Sequence, residues 1–242
     1  MLVENSAFQG RLPQSGEVID GLYEVNPNKI GAVDNYTTFA DNFGKQIEHW
    51  NGFDLTISAR PSAGTVLQGG LSTGRTSTDN CDLRDTLPEI TVAGLSAVPA
   101  RNCHVDTNFL TQYKFLGTYR VPKIDVQFAA TFQSTAGPEV QANYTVTSGQ
   151  TAAGPLPLSG GFRFVNVLLP GTQYAEHINQ LDFRVAKLLR FGRTRTSLNF
   201  DVANITNANT FQAINGAYGP SWQYPLTILD PRLIKLSAQF EF

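Results

Sequence analysis

Few residues in this chain have the type and spacing that chemistry demands. Cys81 and Cys103 stand in one polar stretch. A pair so placed suits a disulfide, which would restrict that stretch by about 3 kcal/mol, and a cell-surface location would permit it; two free thiols are the alternative. His104 follows Cys103 and invites a metal reading, yet neither a CxxC pair nor an HxxxH spacing supports one. The three histidines, His49, His104 and His177, are far apart. No Gly-x-Ser-x-Gly elbow, HExxH helix, Walker A sequence or GxGxxG turn accompanies them. The run Asp-Asn-Cys-Asp-Leu-Arg-Asp at 79–85 reads as a solvated loop rather than a calcium site, because its carboxylates miss the ligand spacing. No enzymatic activity, cofactor or metal is expected.

Composition narrows the classes further. The chain has 242 residues and a formal net charge of -2, with a pI near 5.9, and so carries no electrostatic footprint for nucleic acid. Gly 21, Pro 13 and Phe 16 against one Met argue against a helical bundle. No apolar run reaches the ~18 residues of a membrane-crossing helix. The opening MLVENSAFQG lacks the basic and apolar regions of a signal peptide.

What can position the polar residues is a set of strands. The closing segment, 232–242, places Ile234, Leu236, Ala238, Phe240 and Phe242 on one face and Lys235, Ser237, Gln239 and Glu241 on the other. That period of two makes a strand with one apolar and one wet face. The same pattern predicts strands at 53–60, 112–121, 124–133, 181–185 and 196–203, with a weaker one at 65–74 where Leu67 and Leu71 flank Gly69. About seven strands result, near the ~9–11 residues that cross a bilayer at a tilt.

The links alternate in length. Those around 60–64, 121–123 and 191–195 are tight turns, whereas 75–110, 134–179 and 205–230 are long, polar and rich in Gly, Pro, Asn and Thr. Long links are uncommon in compact soluble domains. Short turns alternating with long loops are the expected arrangement of an outer-membrane barrel, the short ones periplasmic. The expected fold is therefore all-β, an antiparallel transmembrane β-barrel segment of about seven strands. Residues 1–50 form an extracellular loop segment and 51–242 the barrel portion.

On this scheme Asp54, Arg60, Lys114, Arg120, Asp125, Asp182, Arg184, Asp201, Lys235 and Glu241 project into a lumen. Their mixed signs suit ion pairs with one another or with a plug better than a selectivity ring. Tyr119 and Phe191 beside short turns, and Trp50 and Trp222 beside long loops, fall where interfacial aromatic girdles would lie. Tyr218, Trp222 and Tyr224 are candidates for ligand contact from a loop, with interface anchoring as the alternative.

The stretch from Gln180-Leu-Asp-Phe-Arg-Val-Ala-Lys-Leu-Leu-Arg-Phe-Gly192 through Asn199-Phe-Asp-Val-Ala-Asn-Ile-Thr-Asn-Ala-Asn209 to Phe242 resembles the C-terminal barrel of TonB-dependent outer-membrane receptors. The nearest type is the Oar-like one, which carries a carboxypeptidase-regulatory-like domain. Tyr218-Gly-Pro-Ser-Trp222 and Pro231-Arg-Leu-Ile-Lys235 are similar to that family's last extracellular loop and closing strand. The resemblance spans roughly 50–242 and is most specific over the last 65 residues. It implies a bacterial outer-membrane protein, a barrel of 22 strands with a plug domain, and TonB-driven uptake of a ligand. Phe240 and Phe242 would carry the signal read by the barrel-assembly machinery.

With no plug and no TonB box, and an odd strand number where such barrels have even ones, the chain is expected to be a C-terminal fragment of such a receptor. An open sheet would leave two edges facing lipid, each unsatisfied backbone group costing several kcal/mol. The N-x-[ST] sequons at Asn35, Asn143 and Asn204 would be coincidental in a bacterial protein. Two other readings stand beside this one: a porin- or adhesin-like barrel completed by oligomerisation, and a secreted β-sandwich binding module.

Overall fold

Seven long strands run up and down through the chain, each hydrogen-bonded to the next, in the computed structural model. It describes residues 19–32, 34, 37–93, 96–148, 157–192 and 194–241. They are β1 (Ile47–Ala59), β2 (Thr65–Asp79), β6 (Leu110–Val121), β7 (Val126–Thr135), β10 (Ile178–Phe191), β11 (Thr194–Ala203) and β14 (Leu233–Glu241), in that spatial order and all antiparallel. Each matches a strand expected from alternation. The three tight links lie at one end of the sheet and the three long links at the other. Among the described residues β1 and β14 are its two unpaired edges.

The registers sort the side chains by face, because directly opposed residues of antiparallel neighbours point the same way. One row crosses the sheet as Thr65–Tyr119–Phe128–Val185–Phe200–Leu236. Another runs Ile57–Gly69–Phe115–Phe132–Leu181. On the opposite face the rows are polar: Thr56–Gly70–Lys114–Gln133–Gln180, and Ala129–Arg184–Asp201–Lys235. The alternation of each strand is thus in phase with its neighbours, and a slip of one residue would bring charge into the apolar rows.

Most of that apolar face is uncovered, Val202 at 7% exposure being the exception. Phe53, Leu55 and Ile57 on β1 are 58–62% exposed, and Leu236 on β14 reaches 77%. Phe115, Tyr119, Phe200 and Phe240 are exposed as well. A β-sandwich would bury this face under a second sheet; among the described residues none lies on it.

The main buried cluster lies instead in the long links and the N-terminal segment. Ile19, Ala97, Val140, Ala142, Val146, Val165, Val167, Leu168 and Trp222 form one buried cluster, none of it from the seven strands. Around it the links fold into β8 (Asn143–Thr147) and β9 (Phe162–Asn166), joined by the two-residue strands β3 (Val92–Ala93) and β4 (Ser96–Ala97), with β4 and β9 parallel. β5 (His104–Asp106) pairs antiparallel with the end of β2, and β12 (Phe211–Ile214) pairs with β13 (Pro225–Ile228). The links are therefore a packed cap. Glu24 from the N-terminal segment is held there by Arg163, 2.7 Å away, in a largely buried ion pair.

Several boundaries differ from expectation. β1 begins at Ile47, so the division near residue 50 falls inside a strand. Ile124 and Asp125 belong to the turn before β7, Asp125 with φ 49. β2 continues past the predicted segment to Asp79 because the polar run 75–79 carries no apolar mark, and β10 to Phe191 because Lys187 on the apolar face and Leu188 on the polar one break the alternation, while the ladder bonds continue. The 79–85 run is not a plain solvated loop. Cys81–Thr86 forms a short helix, α1, that buries Leu83.

Candidate functional site

The polar face of the sheet gathers most of the charges that alternation singles out. Asp54, Lys114, Arg120, Asp182, Arg184, Asp201, Lys235 and Glu241 all lie on it. Arg184 donates from Nε to Asp201, directly across the β10–β11 ladder, and Lys235 stands opposite Asp201 on β14. Asp182 accepts from Gln180 at 2.9 Å and from the backbone N–H of Asn204 at 2.8 Å, closing the end of β11. Arg60 and Asp125 differ in placement, lying outside the strands in the tight links after β1 and before β7. Asp125 is bound by Arg120 at 2.6 Å within the tight turn, and that guanidinium holds its carboxyl below the usual range. Lys187 sits among the apolar rows but reaches the turn carbonyl of Ile124, as a snorkelling lysine does.

Aromatic placement is more selective than proximity to links implies. Tyr119 and Phe191 do face the apolar side near the tight turns, 46% and 65% exposed. Trp50 does not join them. It shares the polar face with Asp54, and its ring covers Gly52 and Gly74, where a Cβ would approach it to 2.4 and 2.3 Å. Trp222, expected as a ligand or interface aromatic, is 2% exposed and belongs to the cap core. Its indole N–H donates to the Gln141 carbonyl at 2.7 Å, and Tyr218 packs edge-to-face against it at 5.3 Å. Of the three loop aromatics only Tyr224 is open to solvent, at 61%. Phe240 is exposed on the apolar face, while Phe242 lies outside the described residues.

A clamp secures the cap where β2 ends. Cys81 and Cys103 are joined by a disulfide, with Cα atoms 4.8 Å apart. His104 lies between two carboxylates, its Nδ1 3.1 Å from Asp79 and its Nε2 3.7 Å from Asp106. The hydrogen bond to Asp79 raises the imidazole pKa, and the charge of Asp106 adds to this. Asp79 is held low by the backbone N–H of Cys81 and then by His104. Asp106 is lowered by Ser77 first, then by Arg75 and His104. Among the described residues no group of three or more His, Cys, Asp and Glu side chains is disposed to hold a metal ion.

Asn204, met in the sequence as a sequon, is a buried structural residue. Its side chain donates to the carbonyls of Ala208 and Asp230, both at 2.8 Å, and accepts from the Ala208 N–H. Asn143 lies in β8 within the cap and Asn35 outside the described residues.

Where the cap meets the ends of β6 and β10 there is an open groove of about 740 Å³. Leu110, Val140 and Ile214 line it with apolar residues, Phe109 and Phe211, 60% and 41% exposed, with aromatic ones, and Gln173 and Gln223 with polar ones. Tyr174, Glu176 and His177 also line it, and burial raises the Tyr174 pKa. Sequence reading pointed only to His177 here, because the groove draws on three separate links and no local spacing announces it.

Comparison with protein-family models, curated proteins and solved structures finds no match to this chain. No helix among the described residues is long and apolar enough to cross a membrane, which says nothing of crossing by strands.

Proposed function

We propose that this chain is the C-terminal barrel segment of a TonB-dependent outer-membrane receptor of the Oar-like type. In this reading the seven-stranded sheet spans the bacterial outer membrane and the parent takes up a ligand. One observation carries it: an in-phase sheet leaves most of its apolar face without a covering layer among the described residues, while the largest buried cluster sits in the long links and the N-terminal segment at one end. In water such a face would cost about 25 cal/mol for every Å² of apolar surface left uncovered; against lipid that cost vanishes. The short-turn end then faces the periplasm and the cap faces outward. The polar face, with its Arg184–Asp201 pair, lines the lumen toward the plug. The family resemblance of residues 180–242 supplies the particular receptor type.

The membrane part is tested with single cysteines at adjacent positions of β14. Leu236→Cys and Ser237→Cys are spin-labelled after the Cys81–Cys103 pair has closed, and the protein is placed in liposomes. The label at 236 should be accessible to oxygen and shielded from a water-soluble nickel chelate; the label at 237 should show the reverse. Equal access of the chelate to both positions would sink the lipid-facing reading. The receptor assignment is tested separately by reading the DNA in frame upstream of the Met1 codon, where a plug-encoding segment is expected.

The two long unpaired edges, β1 and β14, favour a second reading, a barrel closed by several copies of the chain. Heat-resistant oligomers on gels would select it.

A further inference from the structure

We infer that the groove between the cap and the ends of β6 and β10 is a binding site for a neutral saccharide of about two rings. The volume, about 740 Å³, falls within the ~300–1,000 Å³ range of small-molecule sites. Its surfaces are of two kinds. Phe109 and Phe211 offer phenyl rings that are half exposed rather than packed away. The Arg75 guanidinium lies over the Phe109 ring, 5.7 Å from its centroid, and steadies that ring as a platform. The negative face of such a ring attracts the weakly positive C–H face of a pyranose.

The lining also includes Gln173 and Gln223, whose side-chain amides can each donate and accept as a hydroxyl pair requires. Charge selects against other ligands. Among the described residues no lysine or arginine lines the groove, the neighbouring Arg75 is paired with Asp106 at 3.8 Å, and Glu176 lies at the groove, so an anionic ligand meets no free cation in the lining. Binding itself does not require the membrane reading. That the site would face outward and capture a sugar for uptake rests on it.

The experiment is saturation-transfer NMR on the full chain, folded in a zwitterionic detergent without a sugar headgroup. Cellobiose and maltose are the probes, with glucose 6-phosphate and a blocked Gly-Phe-Gly peptide as competing classes. Transfer to at least one disaccharide is expected. Phe109→Ala and Phe211→Ala should each weaken it roughly tenfold, the loss of one stacking contact of about 1.4 kcal/mol. Phe211→Tyr should restore it, and Tyr224→Ala should leave it unchanged. Near-UV circular dichroism confirms that each variant keeps the cap fold. No transfer to either disaccharide, equal transfer in the Phe109→Ala/Phe211→Ala double variant, or stronger transfer to the phosphate or the peptide would overturn the assignment. None of these outcomes alters the spin-label result at Leu236 and Ser237, so the two readings fail independently.

Discussion

Trp222 illustrates how one side chain can anchor a whole link. Its indole fills the cap core and satisfies the Gln141 carbonyl, so it joins the last link to the one that carries β8 and β9. Trp222→Ala should cost about 3–5 kcal/mol, read as loss of protease resistance in the cap, whereas Tyr224→Ala on the exposed neighbour should change little. His104 gives the clamp a pH dependence whose sign is fixed by its partners. The raised His104 pKa means its contribution is complete below the ordinary value of about 6.5 and is lost as pH rises through the folded value. The lowered pKa values of Asp79 and Asp106 mean that theirs is present above the ordinary carboxylate value and lost as pH falls through the folded ones. Proteolysis around residues 81–106 should therefore be slowest in mildly acidic buffer and faster at alkaline pH, with the alkaline difference abolished in His104→Gln. Reduction of Cys81–Cys103 should accelerate it at every pH, by an amount corresponding to about 3 kcal/mol.

Within β1 and β2 glycine and aromatic side chains act together. Gly52 and Gly74 are directly paired on the polar face, and the Trp50 ring occupies the space that two side chains would take. Gly69 serves Phe115 on the apolar face in the same way, a Cβ there coming within 2.3 Å of the ring. These glycines weaken the strand's own preference and return the loss through ring packing. Gly74→Val should displace the Trp50 ring and destabilise the sheet by about 1–3 kcal/mol. Trp50 and Trp222 are the two tryptophans, and Trp222 is buried, so a change in the solvent-exposed part of the emission reports Trp50 directly.

For the whole molecule the deciding quantity is the contrast between the two faces of the sheet. Phe200 lies in an apolar row and Asn199 beside it in a polar one. If the apolar face meets lipid, Phe200→Arg should cost roughly 2–4 kcal/mol in liposomes, the price of a cation near the bilayer midplane. Asn199→Arg should cost far less. Urea unfolding of both variants in the same vesicles measures the difference; equal costs would mean that neither face is in hydrocarbon.

Alternation alone was enough to locate the seven strands, because a side chain's face depends only on its parity and a sheet with one wet side imposes that parity along every strand. It also separated tight links from long ones, since Pro, Gly and Asn mark turns locally. Periodicity lost its reach where polar residues continue a ladder without an apolar mark, as over 75–79 of β2, or where a turn residue such as Asp125 adopts positive φ. What only the tertiary structure decided lies in the long links. Trp222 is core rather than surface, Asn204 is a buried knot of hydrogen bonds, and Phe109, Gln173, Phe211 and Gln223 share a groove. Those contacts join residues far apart along the chain, and their energies come from packing across links, which no local period records.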